Sequence, residues 1–235
     1  MAGGVRLSVR NTLAALRPAG PWWALALLAG VGALVVWLID ASGWPASAGP
    51  LEGPASRGAP PLAGWLDWQP GLALQQPWRC ISAAWVHLSG QHLVANLAGT
   101  MLVAAYGQAA ACAGRATLAW AAAWPLTHAA LALQPQLAHY GGLSGLLHAG
   151  VAVACWQLLR GDRGPRRAVA AAVLAMLVLK LLLEAPWQGG PLRQPPGWDI
   201  AIAPLAHSTG ALAGLLCAWA CGVGGDAGQR ATRSA

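Results

Sequence analysis

Apolar residues in this chain gather into six runs, 22–39, 92–111, 116–133, 144–159, 168–183 and 201–221, and the stretches between them are polar or rich in glycine and proline. Each run is long enough, with some tilt, to cross about 30 Å of hydrocarbon at about 1.5 Å per residue, so each predicts a membrane-spanning helix. The run beginning at Ser144 is the shortest. Arginines precede the first run and small residues follow it at 46–48, as in a signal peptide. It is longer than an ordinary signal core and five more runs follow, so we read it as a retained span. The expected fold is all-α: a six-helix membrane bundle over residues 22–221, with an N-terminal segment 1–21 and a C-terminal tail 222–235 outside it.

The long connection 40–91 divides into two unlike parts. Residues 43–64 are rich in Gly, Pro, Ala and Ser and predict a flexible segment. From 65 to 88 the text is "WLDWQPGLALQQPWRCISAAWVHL", where Trp65, Trp68, Trp78 and Trp85 suit a membrane interface and a segment packed on the bundle. The loop 185–199, "APWQGGPLRQPPGWD", is too rich in proline and glycine to be regular. No soluble domain and no fixed repeat interrupts this plan.

Composition agrees: 57% of residues are hydrophobic and only 9% charged, where a soluble domain carries about a quarter. The few charges set the orientation. With the N-terminus cytoplasmic, the inner segments hold Arg6, Arg10, Arg17, Arg115, Arg160, Arg163, Arg166, Arg167, Arg230 and Arg233, and the outer ones only Arg57, Arg79 and Arg193. Both termini are therefore expected in the cytoplasm, and loops 40–91 and 185–199 outside. This bias accounts for the net charge of +7 without a nucleic-acid surface. The five cysteines, Cys80, Cys112, Cys155, Cys217 and Cys221, predict no structural disulfide.

Polar side chains within a span are costly unless they meet a partner or a wet cavity. His92 and Asn96 share one helical face at the outer end of the second span, Ser144 starts the fourth, and His207 lies about two turns into the sixth. Alternating chain direction brings all four to the same outer third of the bundle. Singly, each has an ordinary use: Ser144 as a helix cap, His92 and Asn96 as interhelical glue. Together they are the parts of nucleophilic acyl transfer, with Ser144 as nucleophile, His207 as base, and the Ser144 N–H, His92 and Asn96 as oxyanion donors.

Asp40, Glu52, Asp67, Asp162, Glu184, Asp199 and Asp226 all fall in loops, tails or span ends, which leaves no buried carboxylate for a third member. The expected arrangement is a Ser–His dyad. The same inventory argues against an aspartyl protease and against a carboxylate proton path, and no H-E-x-x-H pattern suggests zinc. Gly210 and Gly214 share a face with His207 and would let the fourth and sixth spans approach closely.

At Trp78–Arg79, in "HLSGQHLVANLAG" at 87–99, "GLSG" at 142–145 and "AHSTG" at 206–210, the sequence resembles the rhomboid family of intramembrane serine proteases. The resemblance extends from about residue 78 to residue 214. It implies Ser144 as nucleophile, His207 as base, and His92 and Asn96 in the oxyanion hole. It also implies substrates that are membrane-anchored proteins cut in a transmembrane segment near the outer boundary, with no metal or organic cofactor. The implied setting is a bacterial inner membrane, with the site opening toward the periplasm. The text "GGLSGLLHAG" looks most like the rhombosortase branch, associated with C-terminal tails made of a Gly-Gly motif, one transmembrane helix and a basic end. The family commonly has an aromatic residue one turn after the serine; here it is His148, which can stack on His207 or compete with it as base.

The remaining polar residues read as structural. His87 and Arg79 hold the outer loop, His128 makes an interhelical bond near Pro125, and His139 and Tyr140 are loop residues before the serine turn. Lys180 snorkels and pairs with Glu184, four residues on.

Overall fold

A computed structural model describes residues 19–41 and 62–225. Most of the expected flexible segment 43–64 lies outside the described residues, as do 1–18 and 226–235 with their arginines. Six long helices follow one another: α1 Gly20–Ala41, α2 Gly90–Ala109, α3 Gly114–Ala129, α4 Ser144–Gly161, α5 Pro165–Glu184 and α6 Pro204–Ala220. They correspond one to one with the six apolar runs. Among the described residues there is no strand, only two isolated bridges.

Local chemistry sets the helix ends. The Ser89 side chain accepts the His92 N–H at 3.1 Å and caps α2. Pro165 and Pro204 open α5 and α6, where a missing N–H costs nothing. α5 stops where Ala185 turns left-handed at φ 44° and Pro186 follows. α3 contains Pro125, and its end tightens into a 3-10 turn, Ala130–Leu133.

Large apolar side chains cover the outside of the bundle, while small and polar residues are buried together with a few tryptophans and leucines. Leu28 and Leu38 on α1, Leu102 on α2 and Leu183 on α5 are exposed, while Ala29, Ala33, Thr100, His128 and Ala149 are buried. A bundle in water sorts its side chains the other way; lipid, itself apolar, rewards close packing of small residues instead. By length and composition alone, two helices are apolar enough to cross a membrane: α1, and α3 with its 3-10 extension to Leu133. α2 and α4 are diluted by the polar and glycine residues they turn inward, α5 carries Arg166, Arg167, Lys180 and Glu184 near its ends, and α6 has only 17 residues.

α4 is the central element, with ten buried residues, and it packs most extensively on α6. Tryptophans lock the bundle. Trp22 of α1 donates to the Val103 carbonyl at 3.1 Å and lies 4.3 Å from the Trp120 ring, which in turn donates to the Leu146 carbonyl at 2.9 Å. Gly107 and Gly150 leave the space these indoles fill.

The second half of the outer loop is folded onto the bundle. The buried Arg79 guanidinium donates to the Gly64 carbonyl at 3.0 Å and to the Asp67 carbonyl and carboxylate, both at 2.8 Å. Trp65 and Trp78 are exposed, as an interface position predicts. Trp68 is not: it is 2% exposed, because its backbone pairs with Tyr140 through two hydrogen bonds of 2.7 and 2.9 Å that draw the ring inward. Trp85 seats in a notch over Gly32 of α1.

Candidate active site

Ser144 is the first residue of α4, and His207 lies one turn into α6 rather than two, since α6 starts at Pro204. What brings them together is the contact between the two helix backbones. A Cβ on Gly145 would stand 2.8 Å from the Ala206 carbonyl oxygen, and one on Gly214 would stand 2.5 Å from the Ala149 carbonyl oxygen. On Gly210 it would collide with the Gly145 carbonyl. With no side chains in the seam, His207 Nε2 lies 3.0 Å from Ser144 Oγ. His207 is 6% exposed.

His148 stands beside this pair as a stacking partner. Its ring is nearly parallel to that of His207, at 13° and 4.4 Å between centroids. Its Nδ1 donates to the Ser144 carbonyl oxygen at 2.6 Å, so that nitrogen is occupied by the backbone of its own helix.

The expectation that no carboxylate reaches the histidine is overturned. Glu184, the last residue of α5, has Oε2 2.8 Å from His207 Nδ1. Its other oxygen accepts from Lys180 Nζ at 2.6 Å, and the ammonium also stands 3.3 Å from Nδ1. The Lys180–Glu184 pair was legible one turn apart on one helix; its position against α6 was not.

His92 and Asn96 meet the serine loop at Gly142. That glycine has φ +134°, a conformation other residues rarely adopt, and a Cβ there would stand 2.7 Å from His92 Cε1 and 3.7 Å from Asn96 Nδ2. The Gly142 N–H is bound to the Ala83 carbonyl at 2.9 Å, which ties the serine loop to the outer loop. His92 is buried, and its Nδ1 has no partner among the described residues.

His87 has more to do than hold the outer loop. Its Nδ1 faces the Trp85 carbonyl at 3.2 Å and its Nε2 faces Asn96 Nδ2 at 3.1 Å, so the ring donates to the carbonyl and accepts from the amide. Burial pushes its pKa down from 6.5 to about 4, which keeps the ring neutral and able to accept. Its ring also lies 4.7 Å from that of His92. The signal for this residue was its place five positions before His92, at the foot of the same helix.

The other polar residues take the following places. His139 Nδ1 pairs with Asp67 Oδ2 at 2.5 Å, and His128 Nδ1 donates at 2.7 Å to the carbonyl of Cys80, which lies in the one-turn helix Arg79–Ser82. The irregular segment after α5 is tied to the foot of α2: Ser89 Oγ donates to Asp199 Oδ1 at 2.7 Å, and Gln91 Nε2 donates to the Gly197 carbonyl at 3.0 Å.

The arrangement sets a hydroxyl within hydrogen-bond reach of an imidazole, a carboxylate at that ring's other nitrogen, and a second buried imidazole and an amide beside the serine loop. A family model described as Rhomboid domain matches residues 74–223, which covers the end of the long connection before α2 and all of α2 to α6. No curated protein matches the chain.

Proposed function

The chain belongs to the rhomboid family of intramembrane proteases and is an integral membrane protein, and from that premise we propose that it is an active serine endopeptidase that cleaves a transmembrane segment of membrane-anchored proteins. The observation that carries the activity is the 3.0 Å separation of Ser144 Oγ and His207 Nε2. A protein that only bound membrane helices would need neither group, nor a glycine seam holding them together.

In this reading all six helices span the bilayer, both termini are cytoplasmic, and the site opens toward the outer face, the periplasm of a bacterial inner membrane. A substrate helix unwinds near that boundary and presents an extended segment to Ser144. Small or helix-breaking residues there lower the cost of unwinding. His207 takes the serine proton as Oγ attacks the peptide carbonyl, and the oxyanion is held by His92, Asn96 and the Ser144 N–H. The proton then passes to the leaving amine, and water releases the acyl group. α5 and the loop 185–199 form the gate through which substrate arrives from the lipid.

The finer assignment is to the rhombosortase branch, with substrates that end in a Gly-Gly motif, one transmembrane helix and a basic tail. It rests on the compact six-span plan, on the text "GGLSGLLHAG" and on the "AH" at 206–207 of the sixth span.

A fluorophosphonate probe tests the activity without a known substrate. In detergent the native protein should label, Ser144→Ala should not, and His207→Ala should label only at a slow residual rate. A folded native protein that stays unlabelled would put the silent helix-binding reading in its place.

A further inference from the structure

Resting on the protease reading, we infer that Glu184 is a positioning residue for the base: from the end of α5 it holds His207 in the one tautomer that can take the Ser144 proton, and Lys180 holds Glu184. Oε2 lies 2.8 Å from Nδ1, and a carboxylate only accepts, so Nδ1 carries the hydrogen. Nε2 is then bare and faces the serine hydroxyl at 3.0 Å. The stack on His148, at 13° between planes, resists tilting of the ring but not its rotation within the plane, nor exchange of the proton between its two nitrogens. Those two freedoms are what the carboxylate removes.

During the reaction the proton moves from Ser144 Oγ to Nε2 while the Oγ–carbon bond forms. The Nδ1 hydrogen stays on the ring throughout, and the carboxylate stabilises the imidazolium without taking a proton. The intermediate then collapses: the carbon–nitrogen bond breaks, the acyl group stays on Ser144 Oγ, and Nε2 gives its proton to the leaving amine.

Lys180 makes the inference discriminating. Its ammonium donates to Oε1 at 2.6 Å and has no acceptor to offer. In Glu184→Gln the amide oxygen must therefore turn to Lys180, which leaves the NH2 group facing His207 Nδ1. That reverses the tautomer, puts the hydrogen on Nε2 and blocks proton transfer from Ser144. Glu184→Ala combined with Lys180→Ala removes both the orienter and the ammonium that stands 3.3 Å from Nδ1, and so forces no wrong tautomer. The isosteric change is thus the more damaging one, opposite to what packing predicts.

The placement has a second consequence. α5 buries only Ala170 and Leu177, the fewest of the six helices, so the orienter of the base rides on the least anchored one. Outward displacement of α5 separates Glu184 from His207, and seating of α5 and arming of the base are one event.

The test is the rate of fluorophosphonate labelling. Relative to native, Glu184→Ala with Lys180→Ala should slow labelling about 10- to 100-fold and Glu184→Gln about 1,000-fold or more, as in soluble triads where the amide enforces the wrong tautomer. Adding Lys180→Ala to Glu184→Gln frees the amide oxygen to face His207 and should recover at least about tenfold. In a His207→Ala background none of these changes should alter the residual rate, because all act through the histidine. Labelling of Glu184→Gln at or above the rate of Glu184→Ala with Lys180→Ala, or no recovery when Lys180→Ala is added to Glu184→Gln, overturns the inference while leaving the protease reading in place. An effect of Glu184→Gln that persists in the His207→Ala background shows a structural role and also overturns it. Failure of the folded native protein to label overturns both.

Discussion

Gly210→Ala adds one methyl group where α6 crosses α4, and its effect can be worked from the seam. At Gly214, one helical turn further from the site, a Cβ would stand 2.5 Å from the Ala149 carbonyl oxygen, where real Cβ atoms essentially never come under 3.0 Å; at Gly210 the overlap with the Gly145 carbonyl is deeper. The atom in the way is backbone of the central helix, so no side chain can rotate aside. The helices must part by about one ångström at Gly210. His207, three residues before it, moves with α6, and the 3.0 Å separation from Ser144 Oγ passes the limit of a useful hydrogen bond. Alanine's helix propensity returns about 1 kcal/mol, and overpacking of this kind costs about 1–3 kcal/mol, so the net loss of stability is small. The loss of geometry is not: a misplacement near 1 Å costs about 100-fold in rate. Labelling rate and thermal unfolding in the same detergent should therefore separate, with labelling down about 100-fold and unfolding only slightly earlier. Gly114→Ala, where nothing lies within 4 Å, serves as the matched control. A Gly210→Ala protein that labels within about threefold of native would refute the view that this close approach sets the dyad.

Two further outcomes follow from the site. His148→Phe keeps a flat ring against His207 and should label within about threefold of native, whereas His148→Ala should slow labelling about tenfold without abolishing it; complete loss with His148→Ala alone would make His148 the base. His87 takes up a proton near 6.5 when unfolded but only near 4 when folded, so its contribution to stability is lost as pH falls through that window and is worth at most about 3 kcal/mol. His87→Gln, which can still accept from Asn96, should flatten the fall in unfolding temperature between pH 7 and 4; an unchanged slope would show that another group governs it.

Much of the site could be read from the chain because polar residues within apolar runs are expensive and therefore few. Ser144, His92, Asn96 and His207 were each placed in depth by their distance from the end of a run, and alternation of direction brought them to one level. The glycines at 210 and 214 were legible for the same reason, since a bare helical face in lipid has a use only if another helix lies against it. Burial of Trp68 was not legible. An interface tryptophan and a buried one look alike in sequence, and the difference rests on a backbone pairing with Tyr140, 72 residues away.

Depth along a helix can be counted; the side from which a neighbour approaches cannot. Glu184 shows the difference. At a span end, four residues after a lysine, it has a sufficient local partner, and nothing in "KLLLE" asks for another. The turn of α5 that carries it is nevertheless level with His207, because α5 ends at its left-handed Ala185 where α6 has just begun. A surface pair of this kind contributes only about 0.2–1 kcal/mol, which is little return for two charges beside an apolar span. That imbalance was the available signal: a charged pair at the outer end of a membrane helix, at the level of a buried base, has more to gain from the base than from itself. Read this way, the absence of a carboxylate from the interior of every span does not require a two-residue mechanism, since a helix end can deliver a third group from the side.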